Sequence, residues 1–341
     1  MDLVDQHCHG LVGYDPGAFA GHLSEGAAHG FDSPLGLAVR AICPPLLDLP
    51  AHAPAADYLA RRAELGEAEV TRRMLASTGI ADYLVDTGIE GTRPLGDLVA
   101  ASGARAYEVV RLESVAARVL GAPDFVAAFE EALARATAGA VGVKSIAAYR
   151  YGLGLDPARP SAAEVRRAAA DSPARPADPV LLRHLLWAAV DRGLPIQVHT
   201  GFGDTDLDLH RADPSLLTPF LRATADLGTP VVLLHCYPYH RSAGYLAQVF
   251  PHVYADVGLA LNHTGGAVLP QFLELAPFDR LLFSTDAYGP PELYATGAAL
   301  FRTGLRRVLD GWVARETCSR ADADRIAALV GVGNARRLYG L

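Results

Sequence analysis

Apolar residues are grouped along the chain into eight short runs, and a segment with helical spacing follows most of them. The runs at 230–235 and 280–286 are apolar with little alternation of polar residues. Such runs are typical of strands that are covered on both faces of a parallel sheet. We therefore predict strands near residues 3–9, 81–87, 105–112, 140–147, 195–200, 230–236, 253–258 and 281–286.

The segments between these runs have the spacing and end signals of helices, as at 124–137 and 179–192. Gly193 follows the second segment, where it is expected to end the helix. Eight alternations of strand and helix predict an α/β fold of the (β/α)8 TIM-barrel type. We treat residues 1–341 as a single domain, because barrels of this length are common.

Two connections are too long to be simple crossovers between strands. They cover about residues 11–80 and 148–194, so we predict helical insertions after strands 1 and 4. Within the second, residues 168–179 are rich in Ala, Pro and Asp. This composition indicates a turn-rich surface segment.

Composition limits the classes of function. Of the 341 residues, 50% are hydrophobic and 20% charged, which is enough apolar material for a sizeable core. A formal net charge of −8 gives no basic face for nucleic acid. We find no apolar run long enough to cross a bilayer and no signal peptide, so we expect a cytoplasmic protein without membrane contact. We expect a homo-oligomer that acts on a small molecule.

The four cysteines are scattered and form no Cys-x-x-Cys motif, so neither a disulfide framework nor a structural zinc site is indicated. Cys8 lies between two histidines, and Cys236 follows another. Each is expected to point away from its histidine neighbour, because side chains alternate along a strand. We predict that both are thiols of the core.

His7 and His9 form a His-x-His pair on the first predicted strand. Residues two apart on a strand face the same side, so both imidazoles can reach one metal ion. Two such residues among 12 histidines are a weak signal alone. The signal is strengthened by four further residues that end later predicted strands, namely Lys144, His199, His235 and Asp286.

The C-terminal ends of barrel strands converge on one mouth, where the active sites of these folds lie. We therefore predict that the six residues are neighbours and bind a metal, because imidazole and carboxylate suit Zn²⁺ and related divalent ions. Lys144 is the unusual member, since an ammonium repels a metal. A buried neutral amine can instead react with CO₂ to give a carbamate, an anionic ligand that can bridge two ions. The alternative is that Lys144 pairs with Asp286 or with a substrate carboxylate.

The pattern of these residues resembles the amidohydrolase superfamily of metal-dependent barrels. That pattern is His-x-His on strand 1, Lys on strand 4, His on strands 5 and 6, and Asp on strand 8. The motifs at 142–150, 197–204 and 283–288 are more closely similar to the amidohydrolase-2 domains of FluG-like proteins, where the domain is fused to a glutamine-synthetase-like domain. The resemblance covers nearly the whole chain.

The resemblance implies that His7, His9 and Asp286 hold a first metal ion. His199 and His235 would hold a second, with carbamylated Lys144 as the bridge. Many amidohydrolase-2 relatives use one ion, and there the strand-6 histidine polarises the substrate. Because Lys144 is present, we favour two ions. Zn²⁺ is expected, with Mn²⁺ and Fe²⁺ as alternatives.

The implied chemistry is hydrolysis by a metal-activated water, with Asp286 accepting the proton and His235 as a second catalytic residue. The expected reaction is cleavage of a C–N amide bond in a small polar substrate, for which the fusion in FluG-like proteins suggests a γ-glutamyl amide. A decarboxylase, another lyase or an isomerase on the same barrel is the alternative. A binding module without catalysis is a third class, which the full ligand set argues against.

Further polar residues follow the predicted strands and are candidates for substrate binding. An arginine at the mouth can hold a substrate carboxylate through two hydrogen bonds. Each candidate can equally belong to a structural salt bridge or a solvated loop. The candidates are Arg111, Glu113, Tyr149, Arg150, Asp204 and Tyr237. The other histidines are expected on the surface or in loops, although His210, His240 and His263 lie in loops that can overhang the pocket.

Overall fold

A computed structural model describes residues 2–26, 29–172 and 175–341 of the chain. Within these residues a curled parallel sheet of seven strands forms the centre, and each strand pairs with its neighbours in chain order. The strands are β1 (Leu3–Cys8), β2 (Ile80–Asp86), β3 (Arg105–Arg111), β4 (Gly142–Ser145), β5 (Ile196–Thr200), β6 (Val231–His235) and β7 (Val253–Ala255). The prediction of an α/β fold with a parallel sheet is confirmed.

Helices cover the outer face of the sheet and one end of it. The α-helices of the described residues are α1 (Pro34–Leu46), α2 (Ala55–Leu65), α3 (Glu67–Thr78), α4 (Leu95–Ser102), α5 (Leu112–Val119), α6 (Phe125–Ala136), α7 (Ala147–Arg150), α8 (Ala162–Ala170), α9 (Pro179–Arg192), α10 (Thr218–Thr224), α11 (His240–Val249), α12 (Gly258–Thr264), α13 (Leu269–Phe272), α14 (Pro291–Ala314), α15 (Arg320–Ala328) and α16 (Asn334–Tyr339). Short 3₁₀ helices occupy Phe19–Leu23, Leu209–Ala212, Pro214–Leu217, Ala225–Leu227, Gly265–Val268 and Phe278–Arg280. A π-helical segment lies at Leu329–Gly333.

The eighth predicted strand, near 281–286, is an extended segment that the sheet does not include as a regular strand. Its backbone is hydrogen-bonded to the two edge strands of the sheet. Leu282 N donates to Ala255 O of β7, and Gln6 N of β1 donates to Phe283 O. The ladder is interrupted because Thr285 N donates to a side-chain carboxylate oxygen of Asp5, at 2.8 Å, rather than to a backbone carbonyl. The segment nevertheless links β7 to β1.

The end signals of the two helices chosen from sequence act as expected. The Asp178 side chain accepts a hydrogen bond from Val180 N at the start of α9, and Gly193 ends this helix with φ at 65°. Asp124 likewise accepts from Ala127 N at the start of α6. Local capping chemistry therefore fixes both helices.

Both long connections contain helices. The chain between β1 and β2 holds the 3₁₀ helix Phe19–Leu23 and helices α1 to α3, and the chain between β4 and β5 holds α7 to α9. Of the predicted turn-rich segment 168–179, residues 168–170 are the last residues of α8 and Pro179 is the first of α9, so only its middle part connects the two helices. Within these connections, Ala27, Ala28, Pro173 and Ala174 lie outside the described residues, as does Met1.

Most buried apolar side chains lie between the sheet and its helices, and Cys8 and Cys236 are among them, as predicted. A smaller cluster fills the inside of the curled sheet, where Val232 and Leu234 of β6 meet Tyr339 of α16. Helix α16 therefore closes one end of the sheet. Among the described residues, no helix is long and apolar enough to cross a membrane.

Candidate active site

Three side chains from the two ends of the chain converge at the open end of the sheet. His7 Nε2 lies 3.1 Å from Asp286 Oδ1, and His9 Nε2 lies 3.4 Å from the same oxygen. One ligand atom of each residue lies within 4.8 Å of the others. Both histidines are buried. The structure thus brings together the predicted ligands of the first metal.

Buried partners fix the orientation of both imidazoles. His7 Nδ1 lies 2.8 Å from Gln197 Oε1, while the amide nitrogen of Gln197 donates to Gln6 O. Gln197 Oε1 is therefore an acceptor, so His7 Nδ1 carries the proton and Nε2 presents a lone pair toward Asp286. His9 Nδ1 faces Asp86 O at 3.4 Å, which turns its Nε2 the same way. Burial, with the charge of Lys144, lowers the pKa of His7 to about 4.

His199 and His235 form a second pair of imidazoles beside the first. Their ring centroids are 4.6 Å apart, and His235 Nδ1 lies 3.7 Å from Asp286 Oδ2. Tyr149 packs against the His199 ring at 4.5 Å. A Cβ at Gly203 would lie 2.0 Å from the Tyr149 hydroxyl, so only glycine allows this loop to approach the two rings.

His235 reaches the site through an unusual backbone. The preceding residue, Leu234, points into the interior cluster, so regular alternation would turn His235 outward. A φ of 67° at His235 breaks the alternation, and Asp286 has a φ of 52°. Such conformations cost about 1–3 kcal/mol each in non-glycine residues. Buried Asp256 supports this backbone by accepting from His235 N at 2.7 Å.

Lys144 is buried against these histidines. Its Nζ lies 3.1 Å from His7 Nε2, and burial lowers its pKa to about 8. It is the only lysine among the 341 residues, and the chain uses arginine for its other strongly basic side chains. We call the six residues His7, His9, Lys144, His199, His235 and Asp286 the strand-end cluster.

The strand-end cluster fits a divalent metal. His199 Nε2, His235 Nδ1 and Asp286 Oδ1 are buried, and none has a hydrogen-bond partner in the described part of the chain. Orphaned buried acceptors are costly, and a cation among them would satisfy several at once. A donor set of imidazoles and one carboxylate matches the preference of transition ions such as Zn²⁺.

The cluster faces a cavity of about 440 Å³. Four of the residues predicted to bind substrate line it, namely Arg111, Tyr149, Arg150 and Asp204. The prediction is wrong in placing Glu113 and Tyr237 there. Glu113 is buried beneath the wall, where it accepts hydrogen bonds from Ser145 Oγ and Ile146 N. Tyr237 is partly exposed and stacks on His240 instead.

Arg111 faces the cavity, but its guanidinium is bound to the protein. Its Nη2 lies 2.6 Å from Asp86 Oδ2 and its Nε lies 3.0 Å from the same oxygen. Burial opposes the ionisation of Asp86, yet Arg111 and other nearby positive charges hold the pKa of this carboxyl below its usual range. Asp86 also faces His9, so the Arg111–Asp86 pair supports a ligand of the strand-end cluster.

Several residues of the cavity wall were not among the predicted site residues. Glu25 and His22 come from the connection after β1, and Asp206 from the loop after β5. His263, expected in a loop that can overhang the pocket, lines the cavity, and so does His22, which was expected only on the surface or in a loop. No local motif marks these positions, since tertiary packing brings them to the site.

Comparison with known proteins identifies the family. The sequence model of the amidohydrolase family (Amidohydro_2) matches residues 41–341. The chain belongs to the amidohydrolase family. It is therefore an enzyme of this family. The resemblance found in the motifs is confirmed.

This amidohydrolase is 33% identical to the FluG protein of Emericella nidulans over 223 residues, or 59% of the chain. It covers only 26% of that protein's length. A proposed metal-dependent hydrolase from Lactobacillus casei has 29% identity, with a TM-score of 0.88 over 99% of this chain and 95% of that one. A uronate isomerase from Bacillus halodurans is similar in fold, with a TM-score of 0.66 at 12% identity over 99% of this chain and 93% of its own.

Proposed function

We propose that this amidohydrolase hydrolyses a C–N amide bond of a small polar substrate at a divalent metal centre built from the strand-end cluster. One observation carries the proposal. The ring nitrogens His7 Nε2 and His9 Nε2 converge on the carboxylate of Asp286, at 3.1 Å and 3.4 Å, in a buried place that opens into the cavity. Two imidazole nitrogens and a carboxylate oxygen this close together are a donor set typical of a divalent transition ion.

His7, His9 and Asp286 would hold the first ion, while His199 and His235 would hold a second. Lys144, as a carbamate, would bridge the two. When bound, a divalent ion supplies Lewis acidity that makes water a better nucleophile and polarises a carbonyl group. Zn²⁺ is our first choice, with Mn²⁺ and Fe²⁺ as alternatives. We take residues 1–341 as one (β/α)8 domain, in which segment 281–286 acts as the eighth strand.

Asp286 would handle the proton, and His235 lies beside it. Asp286 faces the cavity and accepts the proton of the attacking water, then returns it to the leaving nitrogen as the C–N bond breaks. In the two-metal arrangement His235 acts as a ligand of the second ion beside this carboxylate, and its Nδ1 lies 3.7 Å from Asp286 Oδ2. In a one-metal enzyme His235 would instead polarise the substrate carbonyl by a hydrogen bond.

The carbamate is supported by the choice of residue at position 144. An arginine would supply a permanent positive charge, but its guanidinium does not lose a proton in proteins. A chain that uses arginine at every other Lys or Arg position has its one lysine amine at this site. That amine would react with CO₂ to form the N–C bond of a carbamate and release one proton.

Labelling tests the carbamate directly. Incubation with ¹³C-bicarbonate should give one side-chain carbamate carbon resonance, apart from any signal of the terminal amine, since there is a single lysine side chain. Lys144→Arg should abolish that side-chain resonance alone. An unmodified Lys144 in fully metal-loaded protein would refute the bridge and leave a one-metal enzyme.

The hydrolase itself is tested by metal analysis followed by turnover of an amide panel that includes γ-glutamyl amides. We expect one to two equivalents of a divalent transition metal, and release of an amine that stops when the metal is removed. CO₂ release without a new amine would favour a decarboxylase, and a product of unchanged mass would favour an isomerase. No bound metal, with activity unaffected by chelators, would end the proposal.

A further inference from the structure

Arg150 is a cation of the cavity wall without a partner. It ends α7, the short helix after β4, and its side chain lines the cavity together with Lys144. Among the described residues, Arg150 makes neither a hydrogen bond nor an ion pair, and its Nε is buried without an acceptor. A partly buried guanidinium in this state loses hydration without gaining a hydrogen bond.

The contrast with Arg111 shows that this is not a general property of arginines in the cavity. Arg111 donates three hydrogen bonds to Asp86 through its Nε and Nη2, so this edge of its guanidinium is already paired. Arg150 has opposite charges in its surroundings, on Glu113 and Asp206, but neither lies within the 4 Å of an ion pair. The like charges of Arg175 and Arg111 act against them, and together with burial the balance lowers the pKa of Arg150.

A planar guanidinium with free N–H groups matches the two oxygens of a carboxylate, and such a pair forms two parallel charged hydrogen bonds. An anion at Arg150 would also offset the repulsion from Arg175 and Arg111. A cavity of about 440 Å³ that also exposes Lys144 and Asp286 leaves room for one small molecule reaching both places.

We infer that Arg150 binds a carboxylate of the substrate, so that the hydrolysed amide belongs to a small carboxylic acid. That the other reacting group of the substrate is an amide rests on the proposed hydrolase. The carboxylate site at Arg150 does not depend on turnover. It assigns the two arginines different tasks: Arg111 supports His9 through Asp86, and Arg150 selects the substrate.

Binding of simple dicarboxylates to the metal-loaded protein tests the site. The probes are malonate, succinate, glutarate and adipate, each with its uncharged diamide, measured by titration calorimetry. We expect at least one dicarboxylate to bind more tightly than its diamide. Arg150→Gln should weaken that acid roughly tenfold to a hundredfold, the range for hydrogen bonds between charged groups. Its diamide should be unaffected.

Two variants serve as comparisons. Arg150→Lys should restore part of the affinity, because it keeps the charge but lacks the fork. Arg222→Gln removes an exposed arginine outside the cavity wall and should leave binding of the acid unchanged. Equal affinity of the acid for wild type and Arg150→Gln, or no binding by any of the four acids, would overturn the inference.

Thermal unfolding separates substrate binding from a structural role. Because Arg150 has no partner within residues 2–26, 29–172 and 175–341, Arg150→Gln should unfold at the wild-type temperature or above it. A fall of several degrees would assign Arg150 to an internal pair with Glu113 or Asp206 and overturn the inference. If dicarboxylates bind through Arg150 but no amide is hydrolysed, the carboxylate site stands and the hydrolase proposal fails. If amides are hydrolysed equally well by wild type and Arg150→Gln, the hydrolase proposal stands and the carboxylate site at Arg150 fails.

Discussion

The strand-end cluster and the wall above it are built in different ways. We call Glu25, Arg150, Asp204, Asp206 and His263 the rim cluster. Members of the strand-end cluster lie at or next to the C-terminal ends of parallel strands or of segment 281–286. Buried residues of the sheet region hold them, as Gln197 does for His7 and Asp256 does for the His235 backbone. Members of the rim cluster come from loops and helix ends, and Arg150 has no partner among the described residues.

We infer from this difference that the strand-end cluster carries out the reaction and that the rim cluster recognises the substrate. Groups that must meet reacting atoms at fixed distances are placed on the sheet, where backbone hydrogen bonds limit their movement. Groups that recognise a substrate lie on segments whose sequence can change without altering the sheet. Substitution in the strand-end cluster should therefore abolish turnover, and substitution in the rim cluster should alter affinity or pH response.

The largest effect is expected from Asp286→Asn. An amide cannot accept and return the proton, so we expect turnover to fall by about 10²-fold to 10⁴-fold, even where some metal is retained. Turnover and metal content should be measured on the same sample. Asp208→Asn is the matched control, since Asp208 is exposed and lies outside the cavity wall. Near-normal turnover in Asp286→Asn would show that this residue does not handle the proton.

Removal of the bridge should have the next largest effect. Lys144→Ala is expected to lower metal content to about one equivalent and to remove most activity, because a carbamate is a ligand of both ions. Short carboxylic acids should restore part of the activity by supplying the missing oxygens. Lys144→Arg tests whether position 144 is needed for a positive charge or for a carbamate, since arginine keeps the charge but cannot form the carbamate. An active, fully loaded Lys144→Arg enzyme would contradict the bridge.

Loss of the buried residues that orient the cluster should lower turnover less than loss of its members, and should mainly weaken metal affinity. Gln197→Leu removes the acceptor that fixes the proton on His7 Nδ1, and loss of such support commonly costs about 10-fold to 100-fold in metal affinity. Competition with a chelator measures the change, and circular dichroism checks folding. Gln271→Leu is the control, because Gln271 makes a similar contact with His240 away from the site. Equal losses in both variants would point to general destabilisation.

The smallest expected effect lies in the rim cluster and depends on pH. Burial, together with a hydrogen bond and negative charge from Glu25, raises the pKa of Asp204 from 3.8 to about 7. The folded state therefore holds this proton more tightly than the unfolded state, so stability declines as pH rises from about 4 to about 7. Asp204→Asn should remove this part of the decline and unfold at a higher temperature than wild type at pH 8.

Asp208→Asn again serves as the control for Asp204→Asn, since Asp208 is on the same loop but outside the cavity wall. Unfolding temperatures at pH 5 and pH 8 give the comparison. If Asp204→Asn gains no stability relative to wild type at the higher pH, Asp204 has an ordinary pKa and the carboxyl pair with Glu25 does not form.

The contrast between the clusters also explains what the sequence could predict. Apolar runs mark seven strands that are present, and the residues at their ends identify the strand-end cluster. In the rim cluster, Arg150 and Asp204 carry the same signal because they follow predicted strands, and His263 lies in a connection expected to overhang the pocket. Glu25 and Asp206 have no such signal, because only tertiary packing brings them to the cavity. Alternation along β6 places Leu234 and His235 on opposite faces, and the backbone turn that brings His235 inward depends on contacts with distant Asp256.

The single lysine has a practical consequence. Reagents that acylate or reductively alkylate primary amines find one side-chain target in this chain, and it is at the bottom of the cavity. Apart from the terminal amine, such labelling would report on access to that cavity alone. Lys144 would accept such a reagent only as the free amine, so labelling would be expected in the metal-free protein and blocked by the carbamate, and cross-linkers aimed at lysine side chains would leave the outer surface unmodified.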